Sequence, residues 1–124
     1  MRNEEPKKND PLSEKSFLFS LRIIKLNRFL QDKHRDYVLS KQILRSGTAI
    51  GALIAEGKYA QSKADFLNKL TIALKEASET EYWIRILHAS QYIDDTMYQS
   101  IYKDLDEILR LLISSTKTVK GSQK

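Results

Sequence analysis

From Phe66 to Leu87 the apolar and small residues fall at alternating steps of four and three: Phe66, Leu70, Ala73, Ala77, Thr80, Ile84 and Leu87. This is the a/d seam of a helix packed along its length against neighbours. Ile101, Leu105, Ile108 and Leu112 repeat it, as do Leu39, Ile43, Ser46, Ile50 and Leu53. Phe19, Ile23, Leu26 and Leu30 form a matching stripe earlier in the chain. No segment alternates with period two for long enough to make a strand, and no proline follows Pro11. The pattern predicts an all-α chain of four long helices with short turns, in an antiparallel up-down-up-down four-helix bundle.

Local signals place the boundaries. Asp10 can cap a helix that opens on Pro11, whose missing N–H costs nothing in a first turn. This helix is expected to reach about Lys33, and the second to run from near Tyr37 to about Tyr59. Ser62, with Asp65 three residues on, starts a third that ends near Ser90. Asp94 and Asp95 start a fourth that ends near Ser115. The expected organisation is a flexible leader over 1–10, one bundle over 11–115 and a flexible basic tail over 116–124. The N-terminus, MRNEEPKKNDP, lacks the apolar stretch of a signal peptide. The longest apolar run, Ala49 to Ala55, falls far short of the ~20 residues that cross a bilayer. A cytoplasmic location is expected.

Two helices carry more apolar surface than one bundle needs. At about 100° per residue, Phe17, Leu21 and Ile24 form a second stripe on the first helix, roughly 150° from its core stripe. The second helix adds Leu44, Gly47, Gly51 and Ala55 on a face of their own. Each glycine costs ~1 kcal/mol of helix propensity relative to Ala, and small residues at steps of four let another backbone approach closely. Either a partner copy or a tight crossing of the first two helices accounts for that face. On the third helix Trp83 lies off the main seam, either as an interface anchor or as a ring packed over the helix end. Together these residues are the candidate contacts of a homo-oligomer.

Catalytic chemistry finds little to use. Without cysteine there is no thiol nucleophile and no cysteine-ligated metal. A carboxylate-bridged metal pair in a bundle needs Glu-x-x-His, but Arg85 stands three before His88 and Gln31 three before His34. The segment GTAIGALIAEG lacks the Lys-Ser/Thr ending of a phosphate loop. No catalytic set, cofactor, metal or small-molecule substrate is expected.

Charge points to acidic partners. The net charge is +5, and it is uneven: residues 13–36 hold six basic and three acidic side chains, residues 94–114 two basic and five acidic. Candidate phosphate-binding cations are Lys15, Arg22, Lys25 and Arg28 on the first helix and Lys41, Arg45 and Lys58 on the second. The competing reading is that these long side chains cover apolar surface with their heads in water. Arg45 and Glu56 read best as polar partners for neighbouring helices.

The segment VLSKQILRSGTAIGALIAEGKYAQSKADF carries Gln42, Arg45, Ser46, Ile50, then Ile54-Ala55-Glu56-Gly57, then Ser62 and Asp65-Phe66. This pattern resembles the 23S rRNA intervening-sequence proteins, first noticed as reading frames inside insertions in bacterial large-subunit rRNA genes. The resemblance covers about residues 15–115. Two positions bear on it: Leu53 stands where the family often has Asn, and Gly51 where Pro or Gly is usual. The resemblance implies a four-helix bundle assembled as a ring-like homopentamer. It also implies distant kinship with basic pentameric accessory proteins of diversity-generating retroelements, which bind reverse transcriptase and nucleic acid. The expected function is therefore a non-catalytic, homo-oligomeric scaffold that binds RNA or a nucleic-acid-processing protein. The alternative is a self-assembling protein-interaction module with no nucleic-acid role.

Overall fold

A computed structural model describes residues 10–122 of the chain. They form α1 (Pro11–His34), α2 (Leu39–Gly57), α3 (Lys63–Ala89) and α4 (Asp95–Ser122), with no strand among the described residues. Three starts agree with the expected caps. Asp10 accepts from the Ser13 N–H at 3.3 Å, Ser62 Oγ from the Asp65 N–H at 3.0 Å, and Asp94 Oδ1 from the Met97 N–H at 2.8 Å. The fourth differs. Asp36 Oδ1 accepts from the N–H groups of both Val38 and Leu39, so α2 begins at Leu39 rather than near Tyr37 and ends at Gly57 rather than Tyr59.

α1 stops with Arg35 in the left-handed region, φ 52° and ψ 31°, its N–H directed at the carbonyls of Leu30 and Gln31. Glycine is the usual occupant of this position, and a residue with Cβ there bears strain on the order of 1 kcal/mol. At the other extreme α4 does not stop near Ser115. It continues to Ser122 because Thr116 is buried and Val119 half-buried in line with Leu105, Ile108 and Leu112. The segment 116–122 is therefore helix rather than loose tail. The leader up to residue 9 and residues 123–124 lie outside the described residues.

Each expected seam faces inward. Phe19, Ile23 and Leu30 of α1, Ile43 and Ile50 of α2, Ala73, Ala77 and Ile84 of α3, and Leu105, Ile108 and Leu112 of α4 are almost wholly buried. Two seam positions are hydroxyls, Ser46 and Thr80, lying 3.0 Å apart. Thr80 Oγ1 also sits 2.8 Å from the Glu76 carbonyl. One hydroxyl proton cannot serve both acceptors, so Ser46 donates within the pair and Thr80 donates to the carbonyl.

The neighbours are α1–α2, α2–α3, α3–α4 and α1–α4. Across every neighbouring pair, rising residue numbers meet falling ones. Asn27 meets Ser40 and Ser16 meets Gly51; Arg45 meets Glu76 and Glu56 meets Lys69. Glu81 meets Tyr102 and His88 meets Asp95; Lys15 meets Glu107 and Arg22 meets Asp104.

Candidate functional site

The small-residue face of α2 turns toward α1 of the same chain. A Cβ on buried Gly47 would lie 2.7 Å from Ile23 Cγ1, and one on Gly51 would lie 3.2 Å from both the Ser16 carbonyl oxygen and Ser20 Oγ. The Ile23 side chain fills the space over Gly47, and the Ser16 carbonyl and Ser20 hydroxyl leave little over Gly51. Gly47 and Gly51, expected among the contacts between copies, therefore serve the α1–α2 crossing. Close approach is consolidated by buried Asn27, whose Nδ2 donates to the Ser40 carbonyl at 2.9 Å.

Of the other residues on these two faces, Leu44 packs against the edge of the core and the rest stay outside it. Phe17 and Leu21 are 36% and 45% exposed, and Leu18 beside them is 53% exposed. Ile24 and Leu44 are half-buried, and Ala55 is exposed. With successive side chains turned by about 100°, Phe17, Leu21 and Ile24 flank the outer side of the α1–α2 seam from one helix, Leu44 and Ala55 from the other. Trp83 stands apart on α3. Its ring is half-buried, Nε1 donates to Glu79 at 2.9 Å, and its edge meets Tyr82 at 5.2 Å between centroids.

The seven candidate cations divide into two groups. Lys15 Nζ pairs with Glu107 at 2.7 Å, and that hydrogen bond holds its pKa above the ordinary lysine value. Arg22 pairs with Asp104 at 2.6 Å and donates to Ser100 Oγ at 2.9 Å. Arg45 pairs with Glu76 at 3.2 Å and also with Glu79, while Lys58 stands 3.9 Å from Asp10. Arg45 thus links α2 to α3, and Glu56 does the same through Lys69 at 3.0 Å, as polar partners of neighbouring helices should. Lys25, Arg28 and Lys41 are exposed and make no hydrogen bond or ion pair among the described residues.

Toward the end of the bundle that holds the α1–α2 turn, the α1–α4 seam opens into a cleft of ≈ 410 Å³ lined by Leu26, Phe29, Met97 and Ile101, with Arg22 and Lys25 also lining it. Both histidines sit at this end. His34 Nε2 donates to the Tyr92 carbonyl at 2.8 Å, and its ring stacks on Tyr92 at 4.4 Å. Tyr92 in turn hydrogen-bonds Asp36, which raises the phenol pKa. His88 stacks on Tyr98 at 4.0 Å and meets Asp95 at 2.6 Å. These contacts pin the α3–α4 turn to α1 and to the start of α4. Sequence reasoning missed them because spacing on one helix carries no sign of stacking between turns. It also passed over Arg35 and exposed Tyr37 and Val38 at the α1–α2 turn.

Among the described residues no three His, Cys, Asp or Glu side chains gather as a metal site, and no helix is long and apolar enough to cross a membrane. A family model described as 23S rRNA-intervening sequence protein matches residues 9–114. No curated protein matches the chain. Five chains of solved structures match it. One is a Bacteroides thetaiotaomicron protein of unknown function from the S23 ribosomal protein family, 54% identical, with a TM-score of 0.84 over 86% of this chain and 98% of that one. Leu53 packs half-buried against the core.

Proposed function

Because the chain belongs to the 23S rRNA-intervening sequence protein family, we propose that it is a non-catalytic scaffold whose copies assemble and bind RNA. In this reading the helices form an up-down-up-down bundle, the bundles close into a ring-like homopentamer, and the basic surface contacts nucleic acid in the cytoplasm. The observation that carries it is the outer side of α1 and α2. Exposed Phe17 and Leu21 with Ile24, Leu44 and Ala55 form an apolar face, and such a face marks a protein interface more often than a free surface. Beside it stand Lys25, Arg28 and Lys41, cations without counter-ions among the described residues.

A second reading keeps the assembly and drops the RNA. It is favoured by the ion pairs of Lys15, Arg22 and Arg45, which give those side chains a use inside the fold. Retention of total bacterial RNA by immobilised protein separates the two. The RNA reading predicts retention at about 50 mM salt that falls steeply toward about 300 mM, as counterion release requires. Equal, negligible retention at both salts would leave the protein-interaction reading.

A further inference from the structure

The cations left without counter-ions converge. Lys25 and Arg28 lie on the later turns of α1 and Lys41 lies near the start of α2. The hydrogen bond from Asn27 to the Ser40 carbonyl brings the residues next to it, Arg28 and Lys41, to one level of the bundle. Beyond them the turn presents exposed Arg35 and Tyr37, the latter 59% exposed. Asp36, between these two, is occupied by the N–H groups of Val38 and Leu39 and by the Tyr92 phenol. Asp32 is the acid left exposed on this corner. Arg35 also holds a left-handed backbone that glycine would adopt without strain.

We propose that this α1–α2 corner is the RNA contact, and that its ligand is a single-stranded segment. This rests on the RNA reading above and names its site. Tyr37 stacks on one unpaired base, and Lys25, Arg28, Arg35 and Lys41 hold the phosphates on either side. From Lys25 to the end of α1, where Arg35 follows, the helix rises by about 14 Å, a span of a few nucleotides. An exposed ring needs a base already out of its stack, which a loop or single strand supplies and a duplex does not. Binding by phosphate contacts and one stacked ring is tolerant of sequence.

The test is fluorescence anisotropy of a labelled oligouridylate of about 12 nucleotides, long enough to cover such a site, with the full-length protein. Replacing the four corner cations together by Ser should weaken binding at least tenfold and flatten the log–log salt dependence by about 3, at roughly 0.7 per phosphate contact. Tyr37→Ala should cost about tenfold, and Tyr37→Phe should keep the affinity. Lys63→Ser, Lys117→Ser and Lys120→Ser together, at the other end of the bundle, should change it little. Circular dichroism checks that each variant stays folded. If the far-end substitutions weaken binding as much as the corner ones, the corner is not the site although the protein binds RNA. If duplex RNA binds as tightly and Tyr37→Ala changes nothing, the single-strand contact is wrong. If the wild-type protein binds no oligouridylate at any salt, both this inference and the RNA reading fail. Displacement by poly-glutamate as readily as by unlabelled RNA would assign the corner to an acidic polypeptide instead.

Discussion

α1 is held on its two sides by different chemistry. Against α2 it packs by backbone proximity, with glycines where the helices meet, Ile23 over Gly47 and one buried amide, Asn27, tying the end. Against α4 it is held by reach, through Lys15 to Glu107 and Arg22 to Asp104, and beyond them the seam opens into the cleft beside Phe29 and Met97. A close seam is intolerant of added volume and indifferent to salt. A seam closed by long, half-exposed side chains is the reverse, because such pairs are screened and lose side-chain entropy when ordered.

Gly47→Leu breaks this contrast hardest. It drives a side chain into Ile23, and overpacking of that kind should cost about 3 kcal/mol in urea unfolding, exceeding the ~1 kcal/mol gained in helix propensity. Gly51→Leu meets the Ser16 backbone carbonyl as well as Ser20 Oγ and should push α1 outward. It should lower both the melting temperature and the mass of any assembly, and an unchanged value of both would contradict the crossing described. Asn27→Ala comes next. It removes the α1–α2 hydrogen bond to the Ser40 carbonyl and should cost about 0.5–1.5 kcal/mol, whereas Ser40→Ala, which removes a buried hydroxyl with no partner in the described structure, should be neutral or stabilising. On the α4 side Arg22→Ala should cost only about 0.2–1 kcal/mol, and less at high salt. A loss from Arg22→Ala as large as that from Gly47→Leu would erase the distinction between the seams.

The smallest effect concerns α3 and α4. The hydrogen bond from Tyr102 to Glu81 raises the phenol pKa above 10.0. A raised folded-state pKa contributes stability that is complete below the unfolded value and is lost as pH rises through the folded one. Stability should therefore decline above about pH 10, and Tyr102→Phe should flatten that part of the profile. A decline identical in the variant would assign it to other groups.

Much of the fold could be read along the chain, since the seam steps of four and three also decide which residues are buried. Asp10, Ser62 and Asp94 declared their caps because a cap and its N–H partner are three residues apart. The end of α4 was hidden, for Lys117 and Lys120 look like a loose basic tail until Thr116 and Val119 are seen to extend the seam. The candidate site was legible as a list and not as a surface. Lys15 and Lys25 are indistinguishable in sequence, and only the distance to Glu107 separates the paired cation from the unpaired one. Gly47 and Gly51 signalled close approach correctly, but not whose backbone approaches.

The claim that these chains assemble through the outer face of α1 and α2 is tested most directly by native mass spectrometry of the purified protein at moderate ionic strength. Five chains of 14.4 kDa should give one species of about 72 kDa, as a closed cyclic assembly requires, and Leu21→Glu should dissociate it. A single species of 14.4 kDa from the wild-type protein would contradict the account.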